Sequence, residues 1–112
     1  MNDRLLSFLG ICRRAKKLVI GAQVAAESAE QGRSCLILYS SDGSQNSLKP
    51  VLAAAKQKGV EVMCAGRTKE ELSSALGRLC NVLSVEDRGF ADRLKEIIGT
   101  EQGGEFDEKI QG

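Results

Sequence analysis

The segment SCLILYS, residues 34–40, constrains the fold most, because it is a continuous apolar run rich in strand-forming residues. Such a run is typical of a β-strand that is buried on both faces, and a strand of this kind needs other layers above and below it. The polar segment SDGSQN follows it and predicts a loop. The sequence therefore predicts a central sheet that is covered on both sides.

Helical stripes alternate with short strand-like runs along the rest of the chain. Apolar residues at helical spacing predict five helices, which carry residues 5–12, 24–29, 48–55, 72–79 and 90–98. Residues 18–20, 60–64 and 82–85 predict further strands. The order α-β-α-β-α-β-α-β-α implies an α/β fold, a three-layer α/β/α sandwich whose mixed four-stranded sheet has helices on both faces.

Several residues mark where the helices begin and end. Asn2 and Asp87 are predicted N-caps, and Thr68 with Glu71 has the spacing of a capping box. Gly32 is a predicted helix end. We expect residues 1–98 to form one domain, and residues 99–112, which are rich in Gly and Glu, to form a flexible C-terminal tail.

The composition argues against several classes of protein. No apolar run approaches the roughly 18 residues of a membrane span, and the start of the chain lacks a signal-peptide pattern, so we expect a cytoplasmic protein without a membrane partner. The chain has no His, and its four Cys lie far apart without a C-x-x-C pair. We therefore predict free, buried thiols, no metal and no cofactor. A Ser-rich loop at residues 40–44 has no candidate base beside it, so an enzyme is not expected.

The charges are unevenly distributed although the net charge is only +1. Residues 1–20 hold five basic and one acidic residue, whereas residues 86–112 hold four basic and eight acidic residues. A basic cluster on a nearly neutral chain favours a localised anion site over a general coat for nucleic acid.

The basic run Arg13–Lys17 precedes a short strand that ends at Gly21, where a helix is predicted to begin. Free backbone N–H groups and the helix dipole at such a start favour an anion. Gln23, in the first turn, carries an amide that can donate to and accept from a base edge. On spacing alone two interpretations stay open, namely a phosphate site and a tight turn that follows a solvated helix end.

The segment LLSFLGICRRAKKLVIGAQVAAESAEQG resembles the opening of a family of kink-turn RNA-binding ribosomal proteins, the large-subunit "L-seven-Ae" and "L-thirty-e" types. It is most similar to their small, stand-alone bacterial relatives. The family run L-G-x-x-x-R-A-x-K-L-x-x-G is matched by Leu9, Gly10, Arg14, Ala15, Lys17, Leu18 and Gly21. SCLILYSSD, TKEELSSALG and VEDRGFADRL extend the resemblance over residues 3–98. It implies a three-layer α/β/α fold and binding to a bent, internally looped RNA, such as rRNA or another structured RNA.

This sequence keeps the glycine of the family signature G-x-N-E-x-x-K but differs from it at the Asn, Glu and Lys positions. Gly21 is kept and Ala22 follows it, whereas Gln23, Val24 and Glu27 stand where the family has Asn, Glu and Lys. The change at position 27 reverses a charge that would face a polyanion.

The family's second contact region, the loop before the last strand, corresponds to Arg78–Asn81. In the family, this loop places apolar residues against an extruded base. Leu79 fits this role, but it also fits the stripe of the preceding helix, so a core position is the alternative. The expected RNA contacts are Arg14, Lys16, Lys17, Gly21, Ala22, Gln23, Val24, Glu27, Arg78, Leu79, Cys80 and Asn81.

The leading hypothesis is a non-catalytic RNA-binding protein of ribosomal type, whose expected partners are a structured RNA and the ribosome or another protein. One alternative is a protein-interaction module on the same fold in which RNA binding is weakened or lost, as Val24 and Glu27 suggest. Another is a binder of small anions or nucleotides at Gly21, although no nucleotide-binding fingerprint accompanies that glycine.

Overall fold

The computed structural model describes the backbone of residues 3–111 and the side chains of residues 3–44 and 46–101. Helices and strands alternate through it in the predicted order. The elements are α1 (Arg4–Arg14), β1 (Leu18–Ile20), α2 (Ala22–Glu30), β2 (Leu36–Tyr39), α3 (Gln45–Lys58), β3 (Val62–Cys64), α4 (Lys69–Leu76), β4 (Val82–Val85) and α5 (Arg88–Gln111). The predicted α/β class and mixed four-stranded sheet are confirmed.

The four strands form one sheet in the order β1-β4-β2-β3. β4 is antiparallel to both of its neighbours, and β2 pairs with β3 in parallel. β1, β2 and β3 therefore point the same way. Their carboxyl ends meet the amino end of β4 at one end of the sheet.

The core has one layer on each face of the sheet. On one face α1, α4 and α5 pack through Leu5, Leu9, Leu72, Leu94 and Ile98, among others. The rings of Phe8 and Phe90 meet edge to face there, with their centroids 5.6 Å apart. On the other face α2 and α3 pack mainly through alanines, including Ala25, Ala29 and Ala54. Small side chains allow α2 to lie close to α3 and to the strands β4 and β1, which fixes the position of α2 on the sheet.

A chain of hydroxyl groups also fixes α2 to β4. The Ser28 and Ser84 side chains are buried, and their oxygens lie 3.0 Å apart. Ser28 donates to a Glu86 carboxylate oxygen at 2.6 Å, and the oxygens of Ser84 and Ser34 lie 2.7 Å apart. The Glu86 carboxylate thus ends this series of hydrogen bonds. The buried hydroxyl groups of Ser28 and Ser84 both have hydrogen-bond partners.

Most of the predicted helix ends are correct, with two exceptions at the N-terminal side. The capping box of Thr68 and Glu71 is formed, and Asp87 accepts a hydrogen bond from the Phe90 N–H at 2.9 Å. The N-cap of α1 is Asp3, which accepts from the Leu6 N–H at 3.0 Å, so the prediction of Asn2 was wrong; Asn2 itself lies outside the described residues. The loop after β2 is also shorter than predicted, because α3 already begins at Gln45.

The last helix continues beyond the predicted end. α5 runs through Gly99 and the following Gly residues to Gln111, whereas the sequence prediction ended it at residue 98. The backbone hydrogen bonds of a helix form within the helix itself and need no buried face. A polar segment can therefore continue a helix whose first turns are already packed on the core. The flexibility of residues 99–112 stays a prediction, and Gly112 lies outside the described residues.

An ion-pair cluster joins the beginning of the chain to α5. The Arg67 guanidinium contacts both Asp3 carboxylate oxygens, at 2.8 and 3.1 Å, and the Glu101 carboxylate at 2.7 Å. The hydrogen bond from Arg67 lowers the pKa of Asp3 below its ordinary value. Planar, bidentate pairing of this kind stabilises both charges and orients them.

The thiols are free, as predicted, but they differ in exposure. Cys12 and Cys80 are buried, whereas Cys35 and Cys64 are half-buried, so the prediction of burial was wrong for the latter two. Burial raises the pKa of Cys12 and of Cys80 to about 11. Within residues 3–111, no helix is long and apolar enough to span a membrane.

Candidate nucleic-acid interface

Three chain segments meet at the end of the sheet where β1 and β2 finish and β4 starts. We call them the platform, namely residues 21–24, 40–44 and 77–81. The Gly21 N–H donates to the Val82 carbonyl at 2.8 Å, and the Ser40 N–H donates to the Asn81 carbonyl at 2.9 Å. The start of α2 and the two loops are therefore neighbours, because β4 starts at this end of the sheet and lies between β1 and β2.

The start of α2 depends on Gly21. This residue has φ 123° and ψ 144°, a conformation that is almost restricted to glycine. It is the N-cap of α2 and has no side chain to offer the first turn. Among the described residues, no acceptor bonds the N–H groups of Ala22, Gln23 and Val24. These donors, together with the helix dipole, favour a negatively charged group in front of them.

The side chains of the first turns of α2 point outward. Gln23 and Glu27 are exposed, and Val24 is 40% exposed. The sequence stripe that included Val24 in the core was therefore wrong at this residue; Ala25, Ala26 and Ala29 form the buried face instead. Gln23, Val24 and Glu27 are thus accessible to solvent in the first two turns of α2, the end that carries the free N–H groups.

The loop between α4 and β4 exposes an apolar side chain. Gly77, with φ 71°, ends α4 in the left-handed conformation, so the helical stripe stops at Leu76. Leu79 lies beyond that end and is 81% exposed, which rules out the core alternative. It lines an open depression of about 620 Å³ together with Asp42, Lys69 and Ser73. An exposed leucine on an ordered loop is available for an apolar contact with a ligand.

Cys80 and Asn81 anchor the same loop to the rest of the protein. The Cys80 side chain is 0% exposed, so it packs in the core and does not reach a ligand, contrary to the sequence expectation. The Cys80 N–H donates to the Ser73 hydroxyl at 3.0 Å. Asn81 accepts from the Ser40 hydroxyl at 2.5 Å, so its side-chain oxygen is used inside the protein.

Gly43 allows this contact between the two loops. A Cβ atom at position 43 would lie 2.1 Å from the Asn81 side-chain oxygen and 2.8 Å from the Ser40 hydroxyl. The Ser41 N–H also donates to the Arg67 carbonyl at 2.8 Å, and the Lys69 N–H to the Asp42 carboxylate at 2.9 Å. The loop after β2 is therefore a structural part of the platform. Sequence reasoning missed it as part of the site, although the glycine in SDGS was a signal of close approach.

Arg13 and Arg78 bring positive charge to the platform. Arg78 is exposed in the α4–β4 loop, and an Arg13 guanidinium nitrogen lies 3.6 Å from where a Cβ of residue 77 would stand. Arg13 belongs to the basic run Arg13–Lys17, which the sequence indicates as a candidate anion site. In the described part of the chain, neither arginine forms an ion pair.

Lys16 and Lys17 lie elsewhere than expected. They precede β1, and the Lys17 carbonyl accepts from the Glu86 N–H at 2.8 Å at the opposite end of the sheet. Four residue steps along a strand separate the Cα atoms of Lys17 and Gly21 by roughly 13 Å. Arg14 lines a groove between α1 and α4 instead. Lys16 and Lys17 are thus separated from the start of α2, although the two features are adjacent in the sequence, because β1 lies between them.

The comparisons with known proteins agree with this fold. No protein-family model matches the chain. It is 27% identical over 98 residues to a protein of Enterococcus faecium named RNA-binding protein YlxQ, covering 87% of this chain and 93% of that protein. It is 30% identical over 95 residues to the protein of the same name from Bacillus subtilis (strain 168), covering 80% of this chain and 90% of that protein.

Solved structures share the architecture. A Bacillus halodurans protein described as having unknown function superimposes with a TM-score of 0.78 and 28% identity, covering 87% of this chain and 98% of that one. A Giardia lamblia 15.5kD RNA binding protein superimposes with a TM-score of 0.66 over 92% of both chains, and its 20% identity supports the fold alone. With 30% identity over most of both sequences, the chain belongs to the YlxQ family.

Proposed function

We propose that this protein binds structured RNA through the platform, and that the RNA is of the kink-turn type. It acts by binding and not by catalysis. The proposal includes the cytoplasm as its location and an rRNA or another kinked RNA as its ligand. Two observations support it together: relatives over nearly the whole chain are named RNA-binding proteins, and the platform offers chemistry that suits RNA.

One structural observation carries the proposal, namely that free N–H donors at the start of α2 and the exposed Leu79 belong to the same platform at one end of the sheet. The donors suit a phosphate or a base edge, whereas Leu79 suits the face of an unstacked base. A continuous duplex offers phosphates but no unstacked base. The combination therefore favours an RNA with an internal bend from which a base is extruded.

The direct test is a fluorescence anisotropy titration of the protein with a labelled kink-turn RNA and with a straight duplex of equal length. We expect clear preference for the kink-turn RNA and moderate weakening as salt rises, because the platform engages few phosphates. Equal affinity for the two RNAs would contradict the kink-turn proposal, and no binding to either would contradict RNA binding altogether.

Leu79→Ala tests the platform itself. Because Leu79 is 81% exposed, its truncation should leave the thermal midpoint unchanged while it weakens kink-turn binding by roughly 1–2 kcal/mol, about five- to thirtyfold. Leu52→Ala is the matched control, since Leu52 is also exposed, at 41%, but lies on α3 outside the platform. If the two variants bind RNA equally well, Leu79 does not contact the RNA.

The alternative function, a protein-interaction module, also draws on Leu79, since an exposed apolar side chain suits a protein partner. Val24 and Glu27 favour it as well, because neither side chain attracts a polyanion. The titration distinguishes the two functions. If the wild-type protein binds neither RNA, the protein-interaction function explains the platform better.

A further inference from the structure

A band of exposed cations extends from the platform along the last turn of α1 to the far end of β1. We call Arg78, Arg13, Lys16 and Lys17 the basic band. Arg13 joins its two halves: its guanidinium lies beside Gly77, next to Arg78, and its carbonyl accepts from the Lys16 N–H at 2.9 Å. Among the described residues, none of the four is in an ion pair.

Lys16 occupies a position that a glycine would fill at lower cost. It follows the end of α1 with φ 62°, and it is the one described residue other than glycine with a positive φ. The left-handed conformation after a helix is usually taken by Gly, because a Cβ atom is strained there. A lysine charge is thus kept at a conformational cost. Strain of this kind is concentrated at functional positions.

The turn that carries Lys16 and Lys17 is held rigidly. The Lys17 N–H donates to the Cys12 carbonyl at 3.0 Å, and the Lys17 carbonyl accepts from the Glu86 N–H at 2.8 Å. Both lysine side chains are exposed. Fixed backbone and free side chains together give a defined place for charge on the surface.

The acidic residues near this turn have partners of their own. The Glu86 carboxylate accepts from the Ser28 hydroxyl and from Arg33, and the Asp87 carboxylate accepts from the Phe90 N–H. In the described part of the chain, the acidic residues of α5 pair with Arg67, Arg93 and Lys95. Among the residues whose side chains are described, no acidic residue of this end forms an ion pair with the basic band. The dipole of α1 accounts for cations in its last turn, but it gives no reason for a strained lysine after it.

We propose that the basic band is a second contact for the phosphates of the RNA that the platform binds. The inference rests on the proposed function and extends it: the RNA backbone leaves the platform at Arg78 and follows the flank of the edge strand β1 to Lys16 and Lys17. With about 13 Å between the Cα atoms of Lys17 and Gly21, one phosphate cannot serve both places. The bound RNA must therefore continue beyond its bend on this side.

Lys16→Gly is the decisive variant, because it removes the charge and the strain together. We expect it to raise the thermal midpoint and at the same time to weaken binding to a kink-turn RNA. The slope of log affinity against log salt should become shallower by about 0.7–0.9, so the defect relative to wild type should shrink about threefold between 50 and 200 mM salt. Lys17→Gln should show the same change in slope without the gain in stability.

Lys56→Gln is the control, since Lys56 is an exposed lysine near the end of α3, outside the basic band. It should bind RNA with the wild-type affinity and slope. If wild type binds the kink-turn RNA and Lys16→Gly binds it equally well with an unchanged slope, the inference is overturned while the proposed function stands. If wild type binds no RNA, the proposed function fails and the second contact fails with it.

Discussion

Gly43 is the residue on which the geometry of the platform depends most closely. Gly43→Ala would place a methyl group 2.1 Å from the Asn81 side-chain oxygen, which the Ser40 hydroxyl already contacts. We expect the free energy of unfolding to fall by roughly 1–3 kcal/mol, because the methyl group must displace the Asn81 side chain and its hydrogen bond from Ser40, or push the two loops apart. Chemical denaturation measures this loss.

Gly10→Ala is the matched control for that substitution. Gly10 lies inside α1, and a Cβ atom there would meet nothing within 4 Å. Alanine should therefore stabilise the helix by about 0.5–1 kcal/mol. Similar losses for both variants would show that the loss at Gly43 does not come from the contact with Asn81.

Glu27 tests how RNA approaches α2. Its carboxylate is exposed one helical turn beyond Gln23, on the side from which a phosphate would come to the free N–H groups. Glu27→Lys should tighten binding to kink-turn RNA roughly tenfold at low salt, which corresponds to about 1.4 kcal/mol, and should make the salt slope steeper. Anisotropy titrations at two salt concentrations measure both effects.

Glu30→Lys makes the same charge change near the end of α2, two turns from Gln23. It should alter RNA affinity much less, since screening in salt weakens an exposed charge over a distance of about 10 Å. Equal effects at positions 27 and 30 would show that only net charge matters and that α2 is not placed against RNA by its start.

At the scale of elements, Asp3 has two roles that can be separated. Its carboxylate caps α1 and pairs with Arg67, which joins α1 to the segment before α4. Because pairing lowers the pKa of Asp3 in the folded protein, the stability it contributes is present above the ordinary Asp range and is lost as the pH falls through the lowered pKa.

Asp3→Asn keeps a good N-cap and removes the charge. At pH 7 the variant should be less stable than wild type, and the difference should vanish as the pH falls below the folded-state pKa of Asp3. Denaturation curves at a series of pH values provide the measurement. A difference that stayed constant down to acidic pH would mean that the ion pair with Arg67 does not stabilise the fold.

The order of the elements could be predicted because each local signal agreed with the packing. The run at residues 34–40 became the strand β2, buried on both faces, and Thr68 with Glu71 began α4 as expected. Such agreement is strongest where burial is periodic and the caps are explicit.

The site was less predictable because it is formed by the loops that follow the ends of helices and strands. Leu79 fits the stripe of α4, but Gly77 ends the helix first and leaves the leucine exposed. Lys17 and Gly21 are close in sequence, yet an extended strand carries them apart. The contact between Gly43 and Asn81 joins loops that are 38 positions apart, which no local pattern reports.

At the scale of the whole molecule, Cys12 and Cys80 report on how the protein opens. Both are buried in the same core layer, and burial raises the pKa of each to about 11, so both stay protonated and unreactive at neutral pH. With a thiol reagent, Cys35 and Cys64 should react in the native protein, whereas Cys12 and Cys80 should react only on unfolding and at equal rates. Peptide mass mapping over time measures the four rates.

Equal slow rates at Cys12 and Cys80 would indicate a single cooperative unit. Faster reaction at Cys80 would instead reveal local opening of the α4–β4 loop, and it would show that the contacts of this loop with Ser40 and Ser73 do not hold it closed. Variants in which one buried thiol is replaced by Ala separate the two signals.

The position of β4 has a consequence for how the protein is made. β4 lies between β1 and β2, although it is the last of the strands along the chain. β1 therefore has no neighbour in the sheet until residues 82–85 have been synthesised, because Leu18 pairs with Val85. Pairings between such distant segments are slow to form. During translation the basic run Arg13–Lys17 thus leaves the ribosome well before the sheet that includes β1 can close.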